Sequence, residues 1–479
     1  MNTRVSSVRN RLERIKFGPT NFRRPLIAAA SGVVAATALV AMPATATADP
    51  PQMMPAPSWL PPAVDRAIPA PNVPKSKTIP RSALASGYDH RTLELRAAML
   101  PSPTGDVFFD RWPADLGQRA PGQVIATRDV TRAAQIVVTA PISSATQVKF
   151  VSRDALGSPI FGTATLLVPR QPAPARGPRP ILVNNVPIDA LGAQCTAGYT
   201  LAHGFRLTTG VTDLIPPSTQ LALARGYAVI VPDHQGPRMS YAEPTLAGRV
   251  ILDSVRAAAI ADPTSFGKGR IAMTGYSGGA IASHGAAKML SVYARELIPR
   301  VAGIAIGGVP ADFRVLSGSM NATLATGLFH AAMLGIARER PEILTLANNL
   351  AQQMAVSPMK DLCTIPIALM GQTFLPTQVF SKDPDPFRSP VANRIYTETK
   401  LANIGSPVPL YIFNGTQEWW IPAEAARNLY REQCRLGANA RYREVFGEHG
   451  LAAVVGYPEA LDWLDKRMRG IPSKSECRR

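Results

Sequence analysis

The sequence is poor in cysteine and in acidic residues, and these shortages narrow the classes of protein that it can encode. Four cysteines in 479 residues are too few for a disulfide scaffold, and without a Cys-x-x-Cys pair neither a zinc ribbon nor a thioredoxin-like redox site is expected. The sequence has only 33 acidic residues, compared with 51 basic residues. No basic run is interleaved with aromatic residues, so we expect no nucleic-acid partner. The 46% apolar and 18% charged composition favours a globular protein.

Long apolar runs are also scarce, and the first lies near the N-terminus. Residues 1–24 carry seven basic residues and one acidic residue, and the stretch 25–42 that follows is uncharged. Small residues then lead to a cleavage point after Ala48, so the segment is predicted to be a secretory signal. The arginine pair at 23–24 leaves twin-arginine and general secretory export both open. An uncleaved anchor is the alternative, although eighteen residues are at the short limit for spanning a bilayer.

Removal of this signal leaves a mature chain of 431 residues with a net charge of about +12, because the signal carries +6 of the total +18. Such a charge favours anionic surfaces such as acidic lipid or an envelope polymer. We prefer the simpler interpretation, a solvated basic surface without a specific partner. We therefore expect a secreted or envelope-associated protein, and export to an oxidising compartment favours paired cysteines.

The mature chain divides into a tether and a region of alternating strands and helices. Residues 49–80 contain ten prolines, which predicts an extended tether that forms neither a helix nor a central strand. Short apolar stretches beyond it predict strands at 147–153, 160–168, 180–185, 227–233, 270–276, 301–308, 408–415 and 441–447. Helical stretches separate several of them, at 219–224, 246–261, 280–297 and 423–436. This order predicts an α/β fold with a mainly parallel sheet covered on both faces.

The alternation of predicted strands and helices stops at 311–400, where helical patterns dominate. Residues 321–337 form an uncharged run that predicts a buried or lid helix, and apolar residues between 343 and 354 share one helical face. We interpret 311–400 as a helical cap inserted into a main domain made of 81–310 and 401–479. The alternative is a further helical layer of the same core.

The motif GYSGG at 275–279 carries the strongest chemical signal. It follows a predicted strand and opens a helix of small residues, which is the setting of a nucleophile elbow. The turn is strained, so glycines are needed beside the serine, and the helix N-terminus favours a developing anion. Ser277 is therefore the candidate nucleophile.

A serine nucleophile needs a base, and in this fold class the base follows it in the chain. That order leaves His284, His330 and His449. His284 lies on the helix directly after the elbow and points away from the serine, whereas His330 lies in the apolar cap. His449 is predicted in a loop just past the last strand and is the candidate base; His234 precedes the elbow and is interpreted as a loop-stabilising residue.

The acid should follow the penultimate strand. No aspartate occurs between Asp385 and Asp462, so the acid must be a glutamate if the fold prediction holds. Glu418 lies in the expected loop and can orient an imidazole as an aspartate does. Glu424 is predicted at a helix start, where its charge would meet the helix dipole. Glu448, adjacent to His449, is the reserve candidate.

At this point the chain resembles the secretory lipase family of α/β hydrolases over roughly residues 100–479. The resemblance rests on GYSGGA at 275–280, GYAVIVPDH at 226–234, EQCRLGAN at 432–439 and the pair Glu448-His449. It implies an α/β-hydrolase fold and a helical cap over the active site.

The resemblance also implies particular roles. The oxyanion hole would be formed by the backbone N–H groups of Asp189 and Gly278, although the loop around Asp189 departs from the usual bacterial pattern. The cysteines would pair as Cys195 with Cys363 and Cys434 with Cys477. Relatives usually carry Asp in the acid loop, where this chain has Glu418.

Together these observations predict a secreted serine carboxylic ester hydrolase that acts on lipid-like esters, with Ser277, His449 and Glu418 as its triad. The apolar cap suits a hydrophobic acyl chain and opening at a lipid–water interface. No metal or organic cofactor is implied. Two alternatives remain: an envelope acyltransferase using the same residues, and a non-catalytic lipid-binding protein on a hydrolase scaffold.

Overall fold

The computed structural model describes residues 54–74, 88–174, 176–206, 209–210 and 217–477. The predicted signal at 1–48 lies outside these residues, as do 49–53 and 75–80 of the predicted tether. No helix within the described ranges has both the length and the apolar character needed to cross a membrane.

A nine-stranded sheet organises the described part of the chain. Its strands are β1 Val124–Asp129, β2 Ile142–Arg153, β3 Pro159–Pro169, β4 Ile181–Asn185, β5 Ala228–Pro232, β6 Ile271–Tyr276, β7 Val301–Gly307, β8 Leu410–Gly415 and β9 Ala440–Val445. The spatial order is β1-β2-β3-β5-β4-β6-β7-β8-β9. Strands β1, β2, β3 and β5 pair antiparallel, and all pairs from β5 through β4 to β9 are parallel. The parallel part has both faces covered, as its continuous apolar strands predict.

Sixteen α-helices are present in the described residues. They are α1 Leu60–Ala67, α2 His90–Ala98, α3 Val107–Asp110, α4 Thr131–Val137, α5 Ala197–His203, α6 Ser218–Ala224, α7 Pro244–Ala261, α8 Pro263–Phe266, α9 Gly278–Val292, α10 Phe313–Met320, α11 Thr326–Ala337, α12 Asn349–Val356, α13 Thr364–Met370, α14 Pro390–Lys400, α15 Ala423–Arg435 and α16 His449–Met468.

Two apolar clusters form the core, one on each face of the sheet. Helices α7, α9 and α15 contribute to the first, and α4, α5, α6 and α16 contribute to the second. Helices α7 and α9 cross at glycines: a Cβ placed on Gly285 would lie 1.9 Å from the carbonyl oxygen of Pro244. Only glycine permits so close a contact, and the contact fixes α9, which begins directly after the predicted nucleophile.

Between β7 and β8 the chain contains helices but no strand in its described residues. Helices α10, α11 and α14 share a separate apolar cluster with the side chain of Ile421, which follows β8. We call residues 308–409 the helical insertion. It lies beside the segments that leave the carboxyl ends of the parallel strands.

Two local predictions were wrong, and one strand was missed. The proline-rich segment forms a helix, α1, because its prolines occupy the first turn, where a missing N–H costs no hydrogen bond. Strand β1 was not predicted, because its charged, partly exposed sequence carries little apolar signal. The predicted helical face between 343 and 354 is interrupted: a 3-10 helix ends at Leu346, and the Asn348 side chain caps α12.

The segment around α1 also differs from a free tether in its contacts. The N–H of Ala56 donates to the carbonyl of Pro384 at 2.8 Å, and that of Asn349 donates to the Asp65 carboxylate at 2.7 Å. Residues 54–74 are therefore fastened to the helical insertion.

Both disulfides implied by the resemblance are present. Cys195–Cys363 links the loop after β4 to the helical insertion, and Cys434–Cys477 links α15 to the C-terminal tail. The N–H of Glu476 in that tail donates to Ala440 of β9 at 3.0 Å. The tail thereby pairs with part of a sheet edge that would otherwise present unpaired backbone groups.

Candidate active site

The strained turn between β6 and α9 presents Ser277. This residue has φ 55° and ψ −124°, a backbone conformation that is costly for any residue other than glycine. A Cβ on Gly275 would lie 2.1 Å from the carbonyl oxygen of Gly279, and one on Gly279 would lie 1.9 Å from that of Asn185. The glycines of the motif are therefore sterically required, and they hold Ser277 at the N-terminus of α9.

His449 and Glu418 form a buried pair at the carboxyl ends of β8 and β9. Imidazole Nδ1 lies 2.7 Å from Glu418 Oε2, and the two residues are 7% and 8% exposed. The second carboxylate oxygen, Oε1, accepts hydrogen bonds from the N–H groups of Trp420 at 3.3 Å and Ile421 at 3.2 Å. The carboxylate is thus held by its own loop while it faces the imidazole.

The charge balance around His449 favours the protonated ring. Burial lowers the pKa of His449, but the carboxylates of Glu418, Asp189 and Glu448 raise it, and the net direction is upward. His449 is the first residue of α16 rather than a loop residue, because Glu448 caps that helix. The Tyr276 hydroxyl donates to the backbone carbonyl of His449 at 2.7 Å and so links the serine turn to the start of α16.

Asp189 lies in the loop after β4 with a left-handed φ of 45° and faces the serine turn. Its N–H has no hydrogen-bond partner in the described residues, and Gly278, as the first residue of α9, has no acceptor within its helix. The Asp189 N–H is therefore available to a ligand, whereas the Gly278 N–H faces the Asp189 carboxyl group and lowers its pKa. A Cβ on Gly278 would lie 1.5 Å from Asp189 Oδ1, so this approach requires glycine.

The Asp189 carboxyl group is itself an unusual feature. Burial raises its pKa to about 6, against the lowering effects of His449, Gly278, Tyr241 and Ser277. Oδ1 makes no hydrogen bond of normal geometry in the described residues. The Asp189 carboxyl group thus lies against Gly278 of the serine turn.

An apolar cavity of about 180 Å³ opens beside Ser277 and extends into the helical insertion. Helix α11 contributes Phe329, Met333 and Ile336 to its wall, and α14 contributes Ile395. A cavity of this kind suits a hydrocarbon chain.

The other histidines considered from the sequence lie away from the serine–imidazole arrangement. His284 is buried on α9 near Lys288, and burial lowers its pKa well below the usual range. His330 lies on α11, 3.3 Å from the Thr377 hydroxyl, in the wall of the cavity. His234 Nε2 lies 2.9 Å from the carbonyl of Val186, which agrees with the loop-stabilising interpretation.

The other two candidate carboxylates, Glu424 and Glu448, have different contacts from Glu418. Glu424 lies in the first turn of α15, as predicted. Glu448 accepts from the N–H groups of Gly450 at 3.1 Å and Leu451 at 3.0 Å, at the start of its own helix. Of the three candidates, Glu418 alone contacts the His449 ring.

Two residues at the site were missed in the sequence. The Tyr241 side chain lies against the Asp189 carboxyl group, and no local pattern connects these distant segments. The Trp420 ring lies 4.6 Å from the His449 ring, centroid to centroid, and lines the cavity. The position of Trp420, two residues after the candidate acid Glu418, was the sequence feature that could have identified it. Within the described ranges, no group of three or more His, Cys, Asp or Glu side chains could hold a metal ion.

Comparison with known proteins identifies the family of the chain. Residues 203–476 match the secretory lipase family. Lipase 4 of Candida albicans is 26% identical over 393 residues, covering 79% of this chain and 84% of the relative. A probable inactive lipase of Mycobacterium tuberculosis is 28% identical over 379 residues, covering 77% and 83%.

Solved structures give the same answer for the fold. Candida antarctica lipase A in its closed state superposes with a TM-score of 0.71 and 25% identity, covering 79% of this chain and 89% of that one. The rice cell wall degrading esterase LipA of Xanthomonas oryzae has a TM-score of 0.55 and 15% identity, covering 73% and 97%. The second likeness concerns the fold alone. The predicted α/β-hydrolase fold is confirmed, and the chain belongs to the secretory lipase family, as a carboxylic ester hydrolase of the lipase type.

Proposed function

We propose that this protein is a secreted lipase in which Ser277 is the nucleophile, His449 the base and Glu418 the acid. The observation that carries the proposal is the buried contact of 2.7 Å between His449 Nδ1 and Glu418 Oε2, beside a strained serine turn. A buried carboxylate fixes the imidazole tautomer and stabilises the imidazolium that forms during reaction.

The reaction follows from these positions. Ser277 Oγ attacks the ester carbonyl carbon while His449 accepts the hydroxyl proton. The N–H groups of Asp189 and Gly278 bind the oxyanion of the tetrahedral intermediate. His449 then donates the proton to the leaving alkoxide, which departs as the alcohol, and the acyl group stays on Ser277. Water, activated by His449, hydrolyses this acyl-enzyme.

The cavity supports a lipid ester as the substrate. It begins at Ser277 and is lined by apolar side chains of the helical insertion, such as Leu316 and Phe387. An acyl chain of a lipid would bury its hydrocarbon there, with a gain of about 0.8 kcal/mol for each methylene group. We infer that the insertion acts as the cap of the site.

The surface around the site supports action at a lipid–water interface. Large apolar side chains that are 40–67% exposed form two groups near the site. We call them the apolar rim: Leu324, Ile365, Leu369, Phe374 and Leu375 on the insertion, and Trp419, Phe446, Leu451, Val454 and Val455 on the acid and base segments. The Thr364 hydroxyl, at the start of α13, donates to Ile188 beside Asp189 at 2.6 Å, so the first group adjoins the oxyanion loop. Binding to an anionic envelope surface stays a prediction from the net charge.

Export supports the same function. The secretory lipase family and the predicted signal agree, and we infer cleavage after Ala48. The mature protein would then meet its lipid substrate outside the cytoplasm.

Replacement of the nucleophile tests the proposal. Ser277→Ala should lose ester hydrolysis by about 10⁶-fold and lose labelling by a fluorophosphonate probe, because only an activated serine reacts. Ser291→Ala, on the same helix, is the matched control and should keep both. If the unsubstituted, folded protein is not labelled, a non-catalytic lipid-binding role is favoured instead. One relative, the mycobacterial protein, is named a probable inactive lipase.

A further inference from the structure

Trp420 occupies an unusual position between the cavity and the candidate base. Its ring centroid lies 4.6 Å from that of His449, with the two planes inclined by 42°. The backbone of the same residue donates to Glu418 Oε1, and its carbonyl accepts from the Ser319 hydroxyl at 2.7 Å. The loop that holds the acid therefore also holds an aromatic ring against the imidazole.

We propose that Trp420 is a positioning residue whose aromatic face stabilises the imidazolium form of His449 during ester cleavage. The proposal rests on the function proposed above, since a charge on His449 develops only if that residue takes the serine proton. An aromatic face within about 6 Å of a cation attracts it, and tryptophan does so most strongly. The observed separation lies well inside that range.

The other groups that face His449 act differently. Glu418 contacts Nδ1, and the carboxylates of Asp189 and Glu448 act on the ring through charge. The Tyr276 ring lies 5.0 Å from the imidazole, centroid to centroid, and its hydroxyl is engaged by the His449 carbonyl. Trp420 is the neighbour that adds no charge and whose ring can be changed without removing a hydrogen bond. Its indole N–H is buried and makes none in the described residues.

Because the Trp420 ring makes no hydrogen bond in the described residues, substitutions can test its aromatic face alone. Trp420→Phe keeps an aromatic face, whereas Trp420→Leu removes it. Trp112→Leu is the matched control, because that tryptophan packs on Phe161, with ring centroids 5.0 Å apart, on another part of the molecule. Melting temperatures of all three variants report whether each one folds.

We expect Trp420→Leu to lower kcat/KM for a soluble p-nitrophenyl ester by about tenfold, with the loss in kcat, because the imidazolium forms only in the transition state. Trp420→Phe should stay within about threefold of the unsubstituted enzyme. The acid limb of the profile of kcat/KM against pH reports the pKa of the free base. Loss of the aromatic face removes a stabiliser of the charged ring, so Trp420→Leu should move that limb down by about half a pH unit to one unit.

Three results would overturn the proposal for Trp420. An acid limb that moves up would mean that the ring acts by excluding water, and an unmoved limb would mean a structural role; either overturns the proposal. A loss confined to KM would make Trp420 a wall of the substrate cavity and would also overturn it. The proposed function fails separately, if the unsubstituted protein is not labelled at Ser277 by a fluorophosphonate.

Discussion

At the scale of single residues, Glu418 is the proposed acid, in a loop where the resemblance implies aspartate. The loop after β8 supplies two N–H donors to Oε1 while Oε2 faces His449. A carboxylate bound in this way has little freedom to turn. We infer that the loop has adjusted to glutamate.

Glutamine at this position gives the sharpest test of the acid. Glu418→Gln should lower kcat by about 10³–10⁴-fold, because the amide removes the charge that supports the imidazolium and can favour the wrong tautomer. Initial rates on a soluble ester measure the effect. Glu424→Gln, in the first turn of α15, is the matched control and should cost less than about tenfold.

Two further variants complete that test. Glu448→Gln should also have a small effect, because this side chain caps α16 through its own helix N–H groups. Glu418→Asp should keep partial activity, since the charge remains but the reach is shorter. Near-normal turnover of Glu418→Gln would move the acid to another residue, with Glu448 the first to re-examine.

At the scale of elements, helix α13 and the turn after it differ from the other helices of the insertion. The stretch 362–381 carries no charged side chain, yet it exposes Ile365, Leu369 and Phe374. Scattered exposed apolar residues are ordinary, but a grouped set beside a site marks an interaction surface. For an enzyme of lipid esters, that surface suits the lipid itself.

The double substitution Ile365→Ser/Leu369→Ser therefore separates interface binding from chemistry. We expect the rate on an emulsified triglyceride to fall at least about fivefold, since each buried apolar side chain contributes about 1.5–3 kcal/mol on transfer from water. The rate on a soluble short-chain ester should stay within about twofold. Ile260→Ser, which removes an exposed isoleucine from α7, is the control and should change neither rate. Equal losses on both substrates would place the effect in folding or in the cavity.

At the scale of the whole molecule, the two disulfides fasten different parts of the fold. Cys195–Cys363 closes 168 residues and joins the segment after β4 to the insertion, while Cys434–Cys477 closes 43 residues and fixes the tail along β9. Loop-closure entropy gives each a contribution of about 4–5 kcal/mol. The site borders the first bond and lies away from the second.

Paired serine substitutions should therefore have different consequences. Cys434→Ser/Cys477→Ser should lower the melting temperature by several degrees and leave kcat within about twofold. Cys195→Ser/Cys363→Ser should lower both, because the position of Asp189 depends on the linked segments. Calorimetry and initial rates measure the two effects, and non-reducing peptide mapping of the exported protein checks the pairing. A loss of kcat in the Cys434→Ser/Cys477→Ser variant alone would contradict these separate roles of the two disulfides.

The sequence alone determined those features that depend on neighbouring residues. The GYSGG motif predicts the serine turn because its steric demands are local, and alternating apolar stretches predict eight of the nine described strands. Elimination along the chain reduced the acid and base to a few candidates, with Glu418 and His449 preferred. The tertiary structure decided what depends on distant contacts: helix α1 on the insertion, the Asp189 carboxyl group facing Gly278, and the Trp420 ring against His449. Such contacts are set by packing between segments far apart in the chain, and no local pattern of residues encodes them.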